Sequence, residues 1–142
     1  MNSKSYYFYL SSKDSLDVYP TNTAASFTVN LPIPLSLTGN WEIGLIDISF
    51  NKNFTVVPKE LYFCLNVVNS SYVQGTLLKT LRRISLCNST SNEFVTYFPV
   101  VRYVSVTLNY LNYFQVKILS ENLQEAAFKS GNLYCTLHLK KC

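Results

Sequence analysis

The sequence predicts an all-β fold, a two-sheet antiparallel β-sandwich, and three observations carry that expectation. Apolar residues make up 48% of the 142 residues and charged residues only 14%, which is enough for one hydrophobic core and too apolar for disorder. Aromatic residues reach 15%, with eleven Tyr and nine Phe against four Gly, and such side chains pack best on pleated, half-buried surfaces. Apolar residues also alternate with polar ones at period two along much of the chain, the pattern of strands buried on one face.

The elements follow in order. In the first candidate strand Tyr6, Phe8 and Leu10 share one face, opposite Tyr7 and Tyr9. In the second, Phe27, Val29 and Leu31 alternate with Thr28 and Asn30. Pro32 and Pro34 should stop that ladder, because proline has no backbone N–H to donate. In the third, Trp41, Ile43 and Leu45 hold one phase and Ile46, Ile48 and Phe50 the other. A change of phase beside Gly44 points to a β-bulge, with a strand buried on both faces as the other reading.

Later alternations are cleaner. Leu61, Phe63, Leu65 and Val67 oppose Tyr62, Cys64 and Asn66, and Val104, Val106 and Leu108 oppose Tyr103, Ser105 and Thr107. Phe114, Val116 and Ile118 oppose Tyr113, Gln115 and Lys117, and Leu133, Cys135, Leu137 and Leu139 oppose Tyr134, Thr136 and His138. Residues 93–98 read as one more strand. Leu77, Leu78, Leu81 and Ile84 have the spacing of a short amphipathic helix with Thr76 as its cap, and residues 121–128 read as a second helix or a loop. The polar segment 11–24 reads as a surface loop or contact arm. About eight strands with connections of uneven length predict a single jelly roll over residues 1–142, with a closed barrel as the alternative.

Several classes of function fall away. No apolar stretch approaches the roughly 18–20 residues that span a bilayer, so membrane insertion is not expected. Tyr6–Leu10 is too short and too aromatic for a signal-peptide core, so secretion by that route is not expected either. Cys64, Cys87, Cys135 and Cys142 are scattered and form no C-x-x-C pair, and they read as reduced thiols; one histidine, His138, rules against a zinc site. No glycine-rich phosphate loop exists, and the eight carboxylates are dispersed. Glu42 and Asp47 share a strand and would share a face only if the bulge is real. No catalytic residue, cofactor or metal is therefore expected, and a hydrolase using His138 is a distant alternative. Three N-x-S/T matches, at Asn53, Asn69 and Asn88, are what chance gives in a chain this rich in Asn, Ser and Thr.

Two positive clues remain. Tyr7, Tyr9, Tyr62, Tyr103, Tyr113 and Tyr134 all fall on the phase opposite the aliphatic one. They either cover a half-solvated sheet through cross-strand pairs or meet other proteins, where tyrosine is enriched. Charge is uneven as well: residues 1–71 carry four basic and five acidic side chains, and residues 72–142 eight and three. Lys79, Arg82 and Arg83 with Lys140 and Lys141 form the candidate basic patch, read as a solvated face rather than a nucleic-acid site.

The run from Phe27 through Pro32 and Pro34 to Trp41-Glu42-Ile43-Gly44-Leu45-Ile46-Asp47-Ile48 resembles a segment of capsid proteins encoded by Polinton/Maverick elements and related adintovirus-like DNA viruses. The ending is similar too: Tyr113–Ile118, Ala127–Gly131 and Thr136–Lys140, with Leu139 where that pattern has Phe. The two matches bracket nearly the whole chain, and residues 51–98 match loosely. The resemblance implies a minor capsid or penton-like single jelly roll in the virion, since a double jelly roll exceeds this length. It implies a homo-oligomer, expected to be a pentamer, in contact with a major capsid protein. A trimeric receptor- or glycan-binding β-sandwich head is the alternative from another class.

Overall fold

The computed structural model describes residues 4–86 and 92–142. Its strands are β1 (Ser5–Ser11), β2 (Ser26–Ser36), β3 (Trp41–Asn51), β4 (Glu60–Leu65), β5 (Ser71–Val73), β6 (Thr76–Leu78), β7 (Thr80–Ser85), β8 (Glu93–Tyr97), β9 (Tyr103–Ser105), β10 (Tyr110–Ser120) and β11 (Leu133–Lys141). One sheet has the order β1-β11-β3-β8, with β9 also on β3; the other has the order β2-β10-β4-β7. All pairings are antiparallel, and β5 and β6 form a separate hairpin. Cys87 and the Asn88 glycosylation pattern lie outside the described residues.

The alternating side chains meet between the two sheets in one core. Ile43, Leu45, Ile48, Leu133, Leu137 and Leu139 come from the first sheet, and Phe27, Leu61, Phe63, Phe114, Val116 and Ile118 from the second. Phe8 contacts the Phe114 ring edge-on across the gap, with centroids 4.9 Å apart. Burying each large side chain contributes roughly 1.5–3 kcal/mol, so this layer is the main source of stability. Tyr6 stacks on Trp41 at 6.1 Å and closes one end of it, while Phe54 and Phe128 pack on Phe50 at the other.

The bulge expected in β3 is present. Thr136 pairs with Asp47 and Leu137 with Leu45, so Ile46 is the extra residue and the phase flips there. Trp41, Ile43 and Leu45 before it, and Ile48 and Phe50 after it, all reach the core.

Two expectations need correction. Pro32 and Pro34 do not end β2, which runs on to Ser36. They lie on an edge strand, in the stretch 31–34 that bulges away from β10 between the pairs Tyr113–Asn30 and Leu111–Leu35, where a missing N–H disrupts nothing. Residues 76–84 are not helical but form β6 and most of β7. Gln74 (φ 52°) and Gly75 (φ 79°) make a turn with both central residues left-handed, the geometry that joins two strands tightly. Residues 121–128 take the loop alternative, held to β10 by Ala126 N–H donating to Ile118 O at 2.9 Å.

Ser11 ends β1, and the rest of the segment to residue 24 is a loop pinned to the sandwich. Asn22 donates from Nδ2 to Asp14 O (3.0 Å) and Thr28 O (2.8 Å), and its Oδ1 accepts from Thr28 N–H at 2.9 Å. Asn22→Ala is expected to cost about 1–3 kcal/mol, because it leaves backbone groups of an edge strand without partners. Urea unfolding of the variant measures it, and limited proteolysis should then cut first within this loop.

Candidate functional site: a tyrosine-rich sheet face

The outer face of the sheet β1-β11-β3-β8 gathers most of the outward tyrosines. Register places Tyr7, His138, Gly44 and Tyr103 in one row across the strands. Tyr9, Thr136, Asp47 and Tyr97 form the next row, and Ser11, Tyr134, Ser49 and Val95 a third. Tyr9 and Tyr97 stand on the two outer strands of their row, three strand spacings or about 14 Å apart. They are 77% and 72% exposed, far more than tyrosines that only roof a core. Tyr7 and Tyr134 are also exposed.

His138 ties the first row together. Its ring stacks on Tyr7 at 4.3 Å and 9°, and its Nδ1 shares a 2.8 Å hydrogen bond with the Tyr103 hydroxyl. Lys140 Nζ sits 4.0 Å over the Tyr103 ring and 3.5 Å from the Glu42 carboxylate. Burial, and then the Lys140 ammonium, hold the His138 imidazole below its ordinary value. The unfolded chain therefore takes up this proton more readily than the folded one. Its contribution is complete above the ordinary histidine value and is lost as the pH falls from there through the lower folded value. Acidification from about pH 7.5 to about 5 is expected to lower the melting temperature more in the parent chain than in His138→Gln, as followed by circular dichroism.

Gly44 makes the row possible. A Cβ there would lie 2.5 Å from Val101 Cγ1 and 3.2 Å from Arg102 O, so only hydrogen lets residues 101–103 lie flat on the sheet and bring Tyr103 to His138. The bulge at Ile46 has a second effect. It turns Asp47 to the same outer face as Glu42, paired with Thr136 and Lys140 respectively in the register with β11.

The remaining predicted residues are placed elsewhere. Tyr113 is exposed on the outer face of the opposite sheet. Tyr62 has the outward phase the alternation gave it but is buried, which corrects the expectation that it is a contact residue. The β5–β6 hairpin covers it, and it packs with Cys64, Val73, Leu78, Leu119 and Leu123. Alternation reports the side of a sheet and says nothing of what folds over it.

The five basic residues do not form one patch. Lys79, Arg82 and Arg83 lie at β7 on one sheet, and Lys140 and Lys141 at the end of β11 on the other. Arg82 stacks on Phe98 at 3.8 Å and donates to Val100 O at 2.8 Å, closing the open edge of the core. Arg83 lies 3.7 Å from Glu60, and Lys79 donates to Asn66 O at 3.1 Å. Tyr97 and His138 are the members of the tyrosine face that sequence reasoning left out. The signal for Tyr97 was its shared phase with Val95 in a short strand with few apolar residues.

Cys64, Cys135 and Cys142 are free thiols. Cys135 is buried in the core, and desolvation pushes its thiol far above the ordinary value, with Asp47 and then Asp14 adding to the shift. Among the described residues no group of three or more His, Cys, Asp or Glu side chains could hold a metal ion, and no helix is long and apolar enough to cross a membrane. No protein-family model matches the chain, and no curated protein matches it.

Proposed function

We propose that this chain is a non-enzymatic structural subunit of a virion, a minor capsid or penton-like vertex protein that assembles as a closed homo-oligomer, a pentamer, and contacts a major capsid protein. The observation that carries the assembly role is the tyrosine face, where Tyr7, Tyr9, Tyr97 and Tyr134 stand exposed on a regular sheet. Isolated domains rarely leave such surface in water, and tyrosine is favoured at interfaces because its ring buries well while its hydroxyl still finds a partner.

We read the fold as a single jelly roll. The strand order supports this: β1 to β4 alternate between the sheets, as do β8, β10 and β11, so that β1-β11-β3-β8 faces β2-β10-β4-β7 and each sheet mixes early and late strands as two nested Greek keys require. On this reading β5–β6 is an insertion and β9 extends the edge position of β8. The viral assignment itself rests on the sequence resemblance. A ring requires two different flanks on each subunit, because head-to-tail contacts are heterologous. Native mass spectrometry and negative-stain electron microscopy of the purified chain test the proposal. Closed rings of one stoichiometry, five by this proposal, support it, and a monomer at high concentration contradicts it.

A further inference from the structure

A second site lies on the opposite sheet, in a groove of about 290 Å³ between β10 and the β5–β6 hairpin. We propose that this groove binds a small amphiphilic anion: an apolar body of alkyl or aryl type carrying a single carboxylate or sulfonate head. The proposal is independent of the assembly role, which concerns the other sheet.

The groove is built by the segment that folds as a hairpin. Gln74 Nε2 donates to Glu121 O at 2.7 Å and fastens the hairpin tip over the sheet. Its inner side chains pack on Tyr62 and Cys64, with Leu78 and Leu119 left partly buried as the walls. Cys64 lines the floor, and burial raises its thiol pKa. At the far end Asn66 is held rigid: its Oδ1 accepts from Gln115 N–H at 2.8 Å and its Nδ2 donates to Tyr113 O at 3.4 Å.

The mouth has one sign of charge. Lys79 and Lys117 line it, and no carboxylate does. Lys79 spends one ammonium N–H on Asn66 O at 3.1 Å and has two left. Lys117 stands opposite Cys64 in the β10–β4 register, and its ammonium has no hydrogen bond or ion pair among the described residues. An apolar floor below two ammonium groups suits a ligand whose body displaces floor water and whose head makes charge-assisted hydrogen bonds at the rim. The volume sits at the small end of ligand sites, about 300–1,000 Å³, so a short amphiphile fits and a folded polypeptide does not.

Titration of the full chain with anilinonaphthalene sulfonate, followed by its fluorescence, should saturate at one site. Decanoate should displace the dye, whereas decyltrimethylammonium, of equal chain length and opposite charge, should not. Lys117→Glu should weaken decanoate binding by about tenfold or more, and because that side chain is exposed its melting temperature should hold. A second readout does not depend on the variant: saturating decanoate should slow N-ethylmaleimide modification of Cys64, measured by peptide mass spectrometry, and leave exposed Cys142 unaffected. Non-saturating dye binding, equal displacement by the cationic amphiphile, unchanged affinity in Lys117→Glu, or no protection of Cys64 would each overturn the proposal.

Discussion

Phe114→Ala is expected to lower the unfolding free energy by about 3–5 kcal/mol, the cost of removing a large aromatic ring from a packed interior. Phe114 is fully buried on β10, a central strand of its sheet. Its ring meets Phe8 edge-on at 4.9 Å, so it is a direct contact between the two sheets. Truncation removes apolar burial and leaves a cavity that strands anchored on both sides cannot collapse to fill. A domain of this size has about 5–15 kcal/mol in hand, so the variant should fold with a urea midpoint well below that of the parent. Tyr113→Ala, one position along and exposed on the other face, should leave the midpoint nearly unchanged. Equal losses at the two positions would contradict the assignment of faces on β10.

The second large effect is expected at Gly44. Gly44→Val places carbon where Val101 Cγ1 lies 2.5 Å and Arg102 O 3.2 Å from the new Cβ. The strand propensity of valine favours the change by at most about 1 kcal/mol. Overpacking opposes it by about 1–3 kcal/mol, and part of the obstacle is backbone that cannot rotate away. The segment 101–103 should lift from the sheet and carry Tyr103 away from His138. Two readouts follow: a lower urea midpoint, and a His138 pKa that returns toward the ordinary histidine value in NMR titration. Loss of stability without any change in the histidine titration would separate Gly44 from the Tyr7–His138–Tyr103 row.

How far the sequence could be read depended on whether one strand's pattern was interrupted by another. β1, β10 and β11 were legible because each has one face in the core and few interruptions. The bulge in β3 was legible too, since one extra residue flips the phase, and Trp41, Ile43 and Leu45 before Ile46 and Ile48 and Phe50 after it record the change. The same device misled at β7. There Cys64 pairs with Thr80 and Phe63 with Arg82, so Leu81 is the extra residue. Leu81 and Ile84 are both buried three positions apart, which reproduces helical spacing on an extended chain. A bulge and one helical turn look alike over so short a stretch.

The site was legible in part for a related reason. Phase assigned Tyr7, Tyr9, Tyr103 and Tyr134 to an outward face, but pairing between distant strands is what puts them on the same one. The sequence carries no mark that β1 and β11 are neighbours or that β8 joins β3. Nor could phase separate Tyr113, on the opposite sheet, from the other four. The groove beside the β5–β6 hairpin was invisible for the further reason that one of its walls, Leu78, comes from a segment expected to be helical.

The most direct test of the assembly surface is sedimentation velocity of the parent chain beside the double variant Tyr9→Ser/Tyr97→Ser, at matched concentrations. Both side chains are exposed, so folding should be unaffected and the two melting curves should coincide. Aromatic anchors at the centre of an interface each contribute about 2 kcal/mol or more, so losing two should weaken association by a factor of about a thousand. The parent should sediment as an oligomer and the variant as a monomer. A parent that sediments as a monomer, or a variant that assembles as well as the parent, would contradict this.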